Sequence, residues 1–278
     1  TGYTKVIKTQ HLITISTLIV LTTVMFGEAK SKTIVADYTF YFGGFTILQA
    51  KTTIELRRKS YKVVSKSKTD GLLNVFYEWS GQATSKGNFL EWRPVPSLHQ
   101  NFGKRAGYVR KTVLSYERSG QLIFSDTQPP PDLSEVFPIP RGLVKETIDP
   151  LTAIVQINRR LERGMGCNVK LPVFDGRRRY DLILEDKGES TFKQTPFSVF
   201  KGKAFICKMN VNMFGGHKRE KSKYAATSGE KLVYVGRPLK DGPILPVGLT
   251  VETAFGTLTG HLVSIKKSDT LLTSRLKK

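Results

Sequence analysis

Apolar and polar residues alternate along most of this chain at the two-residue period of a strand with one buried face. Ile34, Ala36, Tyr38, Phe40 and Phe42 form the first such run, and the Gly43-Gly44 pair behind it predicts a tight hairpin turn. Leu48, Ala50, Thr52, Ile54 and Leu56 mark one face of the next strand. After a polar turn at Arg57–Ser60, the lysine-studded stretch Tyr61–Thr69 reads as a third strand, and the apolar stretch Leu72–Trp79 as a fourth. Gly87, Pro94, Pro96 and Gly103 punctuate the next stretch of chain and predict a loop region there. Val109–Glu117 and Leu122–Ser125 flank Ser119-Gly120 as another hairpin. Pro129-Pro130-Pro131, with Pro138 and Pro140, then breaks all periodicity and predicts an extended surface loop.

The period changes only once. Asp149 is a good N-cap and Pro150 suits the first helical position. Leu151, Ile154, Val155, Asn158 and Leu161 recur at helical spacing. Arg159, Arg160 and Arg163 fall late in the segment, where cations suit the helix dipole, and Gly164 ends it. A helix over about 149–163 packed on a β structure is expected.

Asp175-Gly176 next predicts a two-residue type I′ hairpin. That register sets Phe174 opposite Arg177, Val173 opposite Arg178 and Leu171 opposite Tyr180. Val169, Leu171, Val173, Tyr180, Leu182 and Leu184 then share an apolar face, while Lys170, Asp181, Arg177 and Arg179 share the other. In Lys203–Met213, Phe205, Cys207, Met209, Val211 and Met213 share one face. A charged loop at 218–223 and a closing strand pair, Leu245–Phe255 and Thr257–Lys266, complete the pattern. Ten or so strands and one helix, without an internal repeat, predict a mainly β fold. Its expected architecture is an antiparallel curled sheet or half-open β-barrel with one packed helix.

The first 29 residues follow another logic. Lys5, Lys8 and His11 precede an uncharged run from Leu12 to Phe26, and small residues stand at Gly27 and Ala29. These are the parts of a secretory signal peptide cut after Ala29. A membrane anchor is the alternative, but the run is short and rich in threonine. The expected organisation is a signal peptide over 1–29, one β-rich periplasmic domain over 30–267 and a basic tail over 268–278, with no transmembrane span once the signal is removed. The chain of 278 residues carries a net charge of +21, nearly all of it after the signal. In an exported protein such charge suits lipid head groups or other anionic envelope components rather than nucleic acid; a merely solvated lysine-rich surface is the alternative. Cys167 and Cys207 are the two cysteines. In an oxidising compartment they predict one disulfide, with two buried thiols as the alternative.

Catalytic signals are sparse. His11, His99, His217 and His261 show no metal-ligand spacing, and neither a GxSxG elbow nor a phosphate loop occurs. No cofactor is expected. The richest cluster is Phe174-Asp175-Gly176-Arg177-Arg178-Arg179-Tyr180-Asp181. Arg177, Arg178, Arg179 and Tyr180 are candidate anion- or ligand-binding residues, because guanidinium groups fork onto phosphate or carboxylate. The competing reading pairs these arginines with Asp175, Asp181 and neighbouring acids. On the apolar face, Arg178 would need a partner for burial.

The run Leu171–Leu182, following Asp149-Pro150-Leu151 and Cys167, resembles exported proteins of Gram-negative bacteria grouped as domain-of-unknown-function family 3108. Tyr38-x-Phe40-x-Phe42-Gly43-Gly44, Cys207 and Thr253-Ala254-Phe255-Gly256 fit the same pattern. The resemblance covers roughly residues 34–265. It implies a periplasmic β-rich fold, assigns no activity and carries no catalytic residues. Three functions are compatible with these features. The first is a non-enzymatic envelope protein holding a lipid or anionic amphiphile in the curled sheet. The second is an interaction or scaffold module with a filled core, and the third a hydrolase acting on an envelope polymer.

Overall fold

The computed structural model describes residues 1–2, 32–220 and 229–268. Most of the expected signal peptide, residues 221–223 of the charged loop and the tail beyond Ser268 lie outside the described residues.

Among the described residues, thirteen strands form one antiparallel sheet. They are β1 (Lys32–Phe42), β2 (Phe45–Leu56), β3 (Ser60–Thr69), β4 (Trp79–Leu90), β5 (Arg93–Arg105), β6 (Tyr108–Tyr116), β7 (Leu122–Gln128), β8 (Val169–Phe174), β9 (Arg179–Phe192), β10 (Gly202–Gly215), β11 (Lys231–Gly236), β12 (Leu245–Thr253) and β13 (Gly256–Ser268). The order across the sheet is β7-β6-β5-β4-β3-β2-β1-β13-β12-β11-β10-β9-β8. From β1, in the middle of the sheet, the strands therefore meander to one edge, cross to the other and meander back to pair β13 with β1. A short α1 (Gly71–Phe76) links β3 to β4, and the connection between the edges contains α2 (Pro150–Glu162).

The sheet curls around α2. Val155 packs with Ile34, Ile54, Tyr61, Val63 and Leu245. Ala153, Ile157 and Leu161 pack with Leu171, Val173, Leu184 and Val235 from the other arm. Among the described residues the two edges, β7 and β8, do not pair with each other. Between them runs the segment before α2, where Leu122 N–H on β7 donates to Lys145 O at 2.9 Å. Ile148 forms a parallel bridge to Val173 on β8. A short strap thus occupies edge hydrogen-bonding groups that would otherwise invite another chain.

Three local expectations change. Leu72–Trp79 is not a strand: Gly71–Phe76 is a short helix joining two antiparallel neighbours, and β4 begins at Trp79. Gly71, at φ +59°, approaches the Thr46 carbonyl so closely that an added Cβ would lie 2.5 Å from it, so a sharp turn starts there. The expected loop from Gly87 to Gly103 is instead paired as β4 and β5. Pro94 and Pro96 are tolerated because β5 pairs with β6 only from Leu98 onward, leaving both prolines where the strand has one neighbour. The hairpin after α2 has a connection two residues longer than expected, both taken from the β9 side: Phe174 faces Arg179 and Val173 faces Tyr180. The Asp175 carboxylate accepts from Arg177 N–H at 2.9 Å and Arg178 N–H at 2.7 Å, building a four-residue connection. A slip of two preserves the faces, so Leu171, Val173 and Leu184 remain in the core.

Candidate functional site

The sequence-expected residues occupy two places. Cys167, just before β8, is bonded to Cys207 on β10, with Cα atoms 5.7 Å apart in the core. The arginine cluster surrounds the β8–β9 turn, where its side chains take separate protein partners. Arg177 Nη2 donates to Pro129 O at 2.7 Å. Arg178 Nη2 lies 2.8 Å from Asp175 Oδ2, and its side chain is 59% exposed, so it is not the inward residue expected from the shorter turn. Arg179 is the buried one. Its Nη1 lies 2.7 Å from Asp181 Oδ1, its Nε donates to Leu143 O at 2.8 Å, and its guanidinium stands over the Phe214 ring at 4.8 Å. Lys170 completes the set, 2.9 Å from Asp181 Oδ2 despite the changed register. Burial pushes Asp181 upward in pKa, but the bonds from Lys170 and Arg179 prevail and hold it below the usual carboxylate range. Tyr180 packs on the core side, where burial and then the Asp175 charge push its phenol up to about 12.

A second polar group was not legible as a unit. Asp149 caps α2, its Oδ1 accepting from Leu151 N–H and Thr152 N–H, both at 3.0 Å. Ser85 Oγ on β4 also donates to that oxygen at 2.5 Å, and Thr152 Oγ1 donates to Oδ2 at 2.5 Å. The carboxylate only accepts, so both hydroxyl protons point at it. His99 Nδ1, 2.8 Å from Ser85 Oγ, must then be a donor, as must Tyr61 O–H, 2.7 Å from Thr152 Oγ1. Burial, the largest influence, would raise the Asp149 pKa; the bonds and charge of His99 and the Ser85 and Thr152 bonds outweigh it and hold the acid below its ordinary value. Ser85, His99 and Asp149 invite comparison with a hydrolytic triad. A triad sets serine and carboxylate on opposite imidazole nitrogens. Here both lie at Nδ1, while Nε2 is buried with no partner among the described residues, and all three side chains are sealed from solvent. The arrangement anchors the helix start to the sheet.

The concave space beyond the anchor is not filled. A cavity of about 380 Å³ lies between α2 and both arms of the sheet. Ile54, Val63, Leu184, Met209, Val233 and Leu249 line it, which makes its walls overwhelmingly apolar. Ile154 lines it from the helix while remaining 39% exposed. Asn158, Arg159 and Glu162 supply its polar side. Arg159 Nη1 lies 3.1 Å from Glu162 Oε2, and the guanidinium stands over Phe89 at 5.0 Å. Glu162 Oε1 meanwhile accepts from Ile244 N–H at 3.2 Å. Asn158 Oδ1 and Arg159 Nε are buried without a hydrogen-bond partner among the described residues, one an acceptor and the other a donor. The helical periodicity placed Asn158 inward, but only the curl of the sheet reveals that Leu151 and Ile154 face open space. Among the described residues no cluster of His, Cys, Asp and Glu could hold a metal, and no helix is long and apolar enough to cross a membrane.

An open, curled β-sheet wrapped around one helix, with an apolar cavity between them, defines the class of protein. Residues 37–263 match the family described as "Protein of unknown function (DUF3108)", and the chain belongs to that family. No curated protein matches it. Among solved structures, it is similar to a β-barrel-like protein of the unknown-function family DUF1849 from Brucella abortus. The two share 12% identity at a TM-score of 0.51, over 87% of this chain and 99% of the other. That likeness concerns the fold.

Proposed function

We propose that this protein is a non-enzymatic envelope protein of the periplasm that holds one acyl chain of an anionic amphiphile between α2 and the curled sheet. The observation that carries the reading is the apolar cavity with an unpartnered acceptor and donor, Asn158 Oδ1 and Arg159 Nε, on one side. Its 380 Å³ falls within the range of small-molecule sites, about 300–1,000 Å³. Burial of each methylene contributes roughly 0.8 kcal/mol, and the Arg159 guanidinium gives a carboxylate or phosphate a charge-assisted partner. The signal-peptide pattern and the high basic charge support an envelope setting. The sealed position of Ser85, His99 and Asp149 supports a structural role for them.

Native mass spectrometry with lipid extraction tests this reading on protein recovered from the periplasm of a Gram-negative host. A lipid at one copy per chain is the expected result. A clean ligand-free mass, together with no uptake of a fluorescent fatty acid by the purified protein, overturns it.

A further inference from the structure

The antiparallel meander places the β1–β2 turn, α1 and the β5–β6 turn at one rim of the sheet. The opposite rim carries the turns at Arg57–Lys59, Glu91-Trp92 and Glu117–Gln121. The two rims differ in chemistry. The turns of the second are mostly charged and polar, with Trp92 half-buried and Leu90 exposed beside them. The first presents Phe45, Leu72, Val75, Phe76 and Tyr108, all more than 60% exposed, with Phe76 at 86% and Tyr108 at 81%. No residue of α1 is buried, so its apolar side chains contribute nothing to the core.

Cations stand behind these tips. Lys66 and Lys68 end β3, Lys104 and Arg105 end β5, and all four are exposed. Arg105 lies over the Tyr77 ring at 4.0 Å. Lys66 is directly opposite Lys51 across β2 and β3, and Lys51 Nζ lies 3.7 Å from Asp37 Oδ1 on β1, so Lys66 is the cation of this pair left for an anionic surface. Asp37, Asp70 and Glu78 are the acids nearby; Asp37 is engaged by Lys51, and Asp70 already accepts from Gln49 at 2.7 Å. Separate projecting tips, with tyrosine and tryptophan (Trp79) at their base and cations set back, match the layering of a lipid interface.

We infer that this rim docks on an anionic lipid bilayer, with α1 and the neighbouring tips entering the head-group layer and the lysines meeting lipid phosphates. The inference is independent of the cavity.

Flotation with vesicles tests it. The purified protein should float with mixed phosphatidylethanolamine–phosphatidylglycerol vesicles and not with phosphatidylcholine vesicles. Removing Lys68 or Lys104 as Lys→Gln should weaken binding about five-fold each at low salt. The double variant Val75→Asp/Phe76→Asp should abolish flotation while keeping the wild-type thermal midpoint, because neither side chain is buried. Leu90→Asp, at the opposite rim and 58% exposed in the parent, should float like the wild type. Absence of flotation with the anionic vesicles, or flotation unchanged in the double variant, overturns the inference. So does equal binding to phosphatidylcholine. None of these results alters the ligand mass read from the cavity.

Discussion

Ser85 Oγ on β4 lies 2.5 Å from Oδ1 of Asp149, the residue that starts α2. One carboxylate thus caps the helix and ties it to the sheet wall, and the position of α2 sets the shape of the cavity. Replacing Asp149 with alanine removes the cap and strands Ser85 and Thr152, at an expected cost of about 2–4 kcal/mol. Urea denaturation at neutral pH measures it.

The same residue makes stability depend on acid. Its folded-state pKa is lowered, so the unfolded chain takes up the proton first as pH falls. The contribution is complete above the unfolded value, about 3.9, and is lost as pH drops through the folded-state value. Asp181 acts in the same direction. Urea midpoints should therefore hold from pH 7 to about pH 5 and decline from there to pH 3, less steeply in Asp149→Asn. An identical slope in that variant would show that the carboxylate is not the source.

Arg178 and Arg179 are neighbours in sequence with opposite fates. Arg179→Ala leaves Asp181 with only Lys170 and should cost about 3 kcal/mol. Arg178→Ala removes an exposed pair and should change stability by no more than about 0.5 kcal/mol. Equal effects in chemical denaturation would contradict this assignment.

The Cys167–Cys207 bond closes a 40-residue separation. The chain-entropy model makes such a link worth about 4 kcal/mol. Non-reducing peptide mapping should recover the two cysteine peptides joined, and a Cys→Ser change at either position should lower stability by a few kcal/mol.

The cavity reading makes its own demand. Ile154→Trp should fill the space and reduce fatty-acid uptake, with little change in thermal midpoint because the parent side chain is partly exposed. Arg159→Met should retain a fatty alcohol while losing the preference for the matching fatty acid, a change of about ten-fold. Competition with a fluorescent fatty acid reads both.

Much of this molecule was written locally. The alternation in Ile34–Phe42, the Gly43-Gly44 turn and the Asp149-Pro150 cap are decided by residues a few positions apart, so periodicity and capping chemistry read them correctly. The hairpin faces around Asp175 survived a register slip because the side-chain period of a strand is two. The pairing of Cys167 with Cys207 followed from an even count. Tertiary structure decided the rest. Pro94 and Pro96 read as loop because their tolerance depends on where β6 begins, a fact held by another strand. His99 and Ser85 fell within or beside that misread stretch, so no face could be assigned to them and their bonds to Asp149 stayed invisible. The cavity depends on how far a thirteen-stranded sheet curls around α2, which no local spacing encodes. The apolar rim depends on which turns the meander sends to the same end. Local order follows from backbone sterics and short-range hydrogen bonds, whereas enclosed space and shared surfaces arise only when distant strands fix one another's positions.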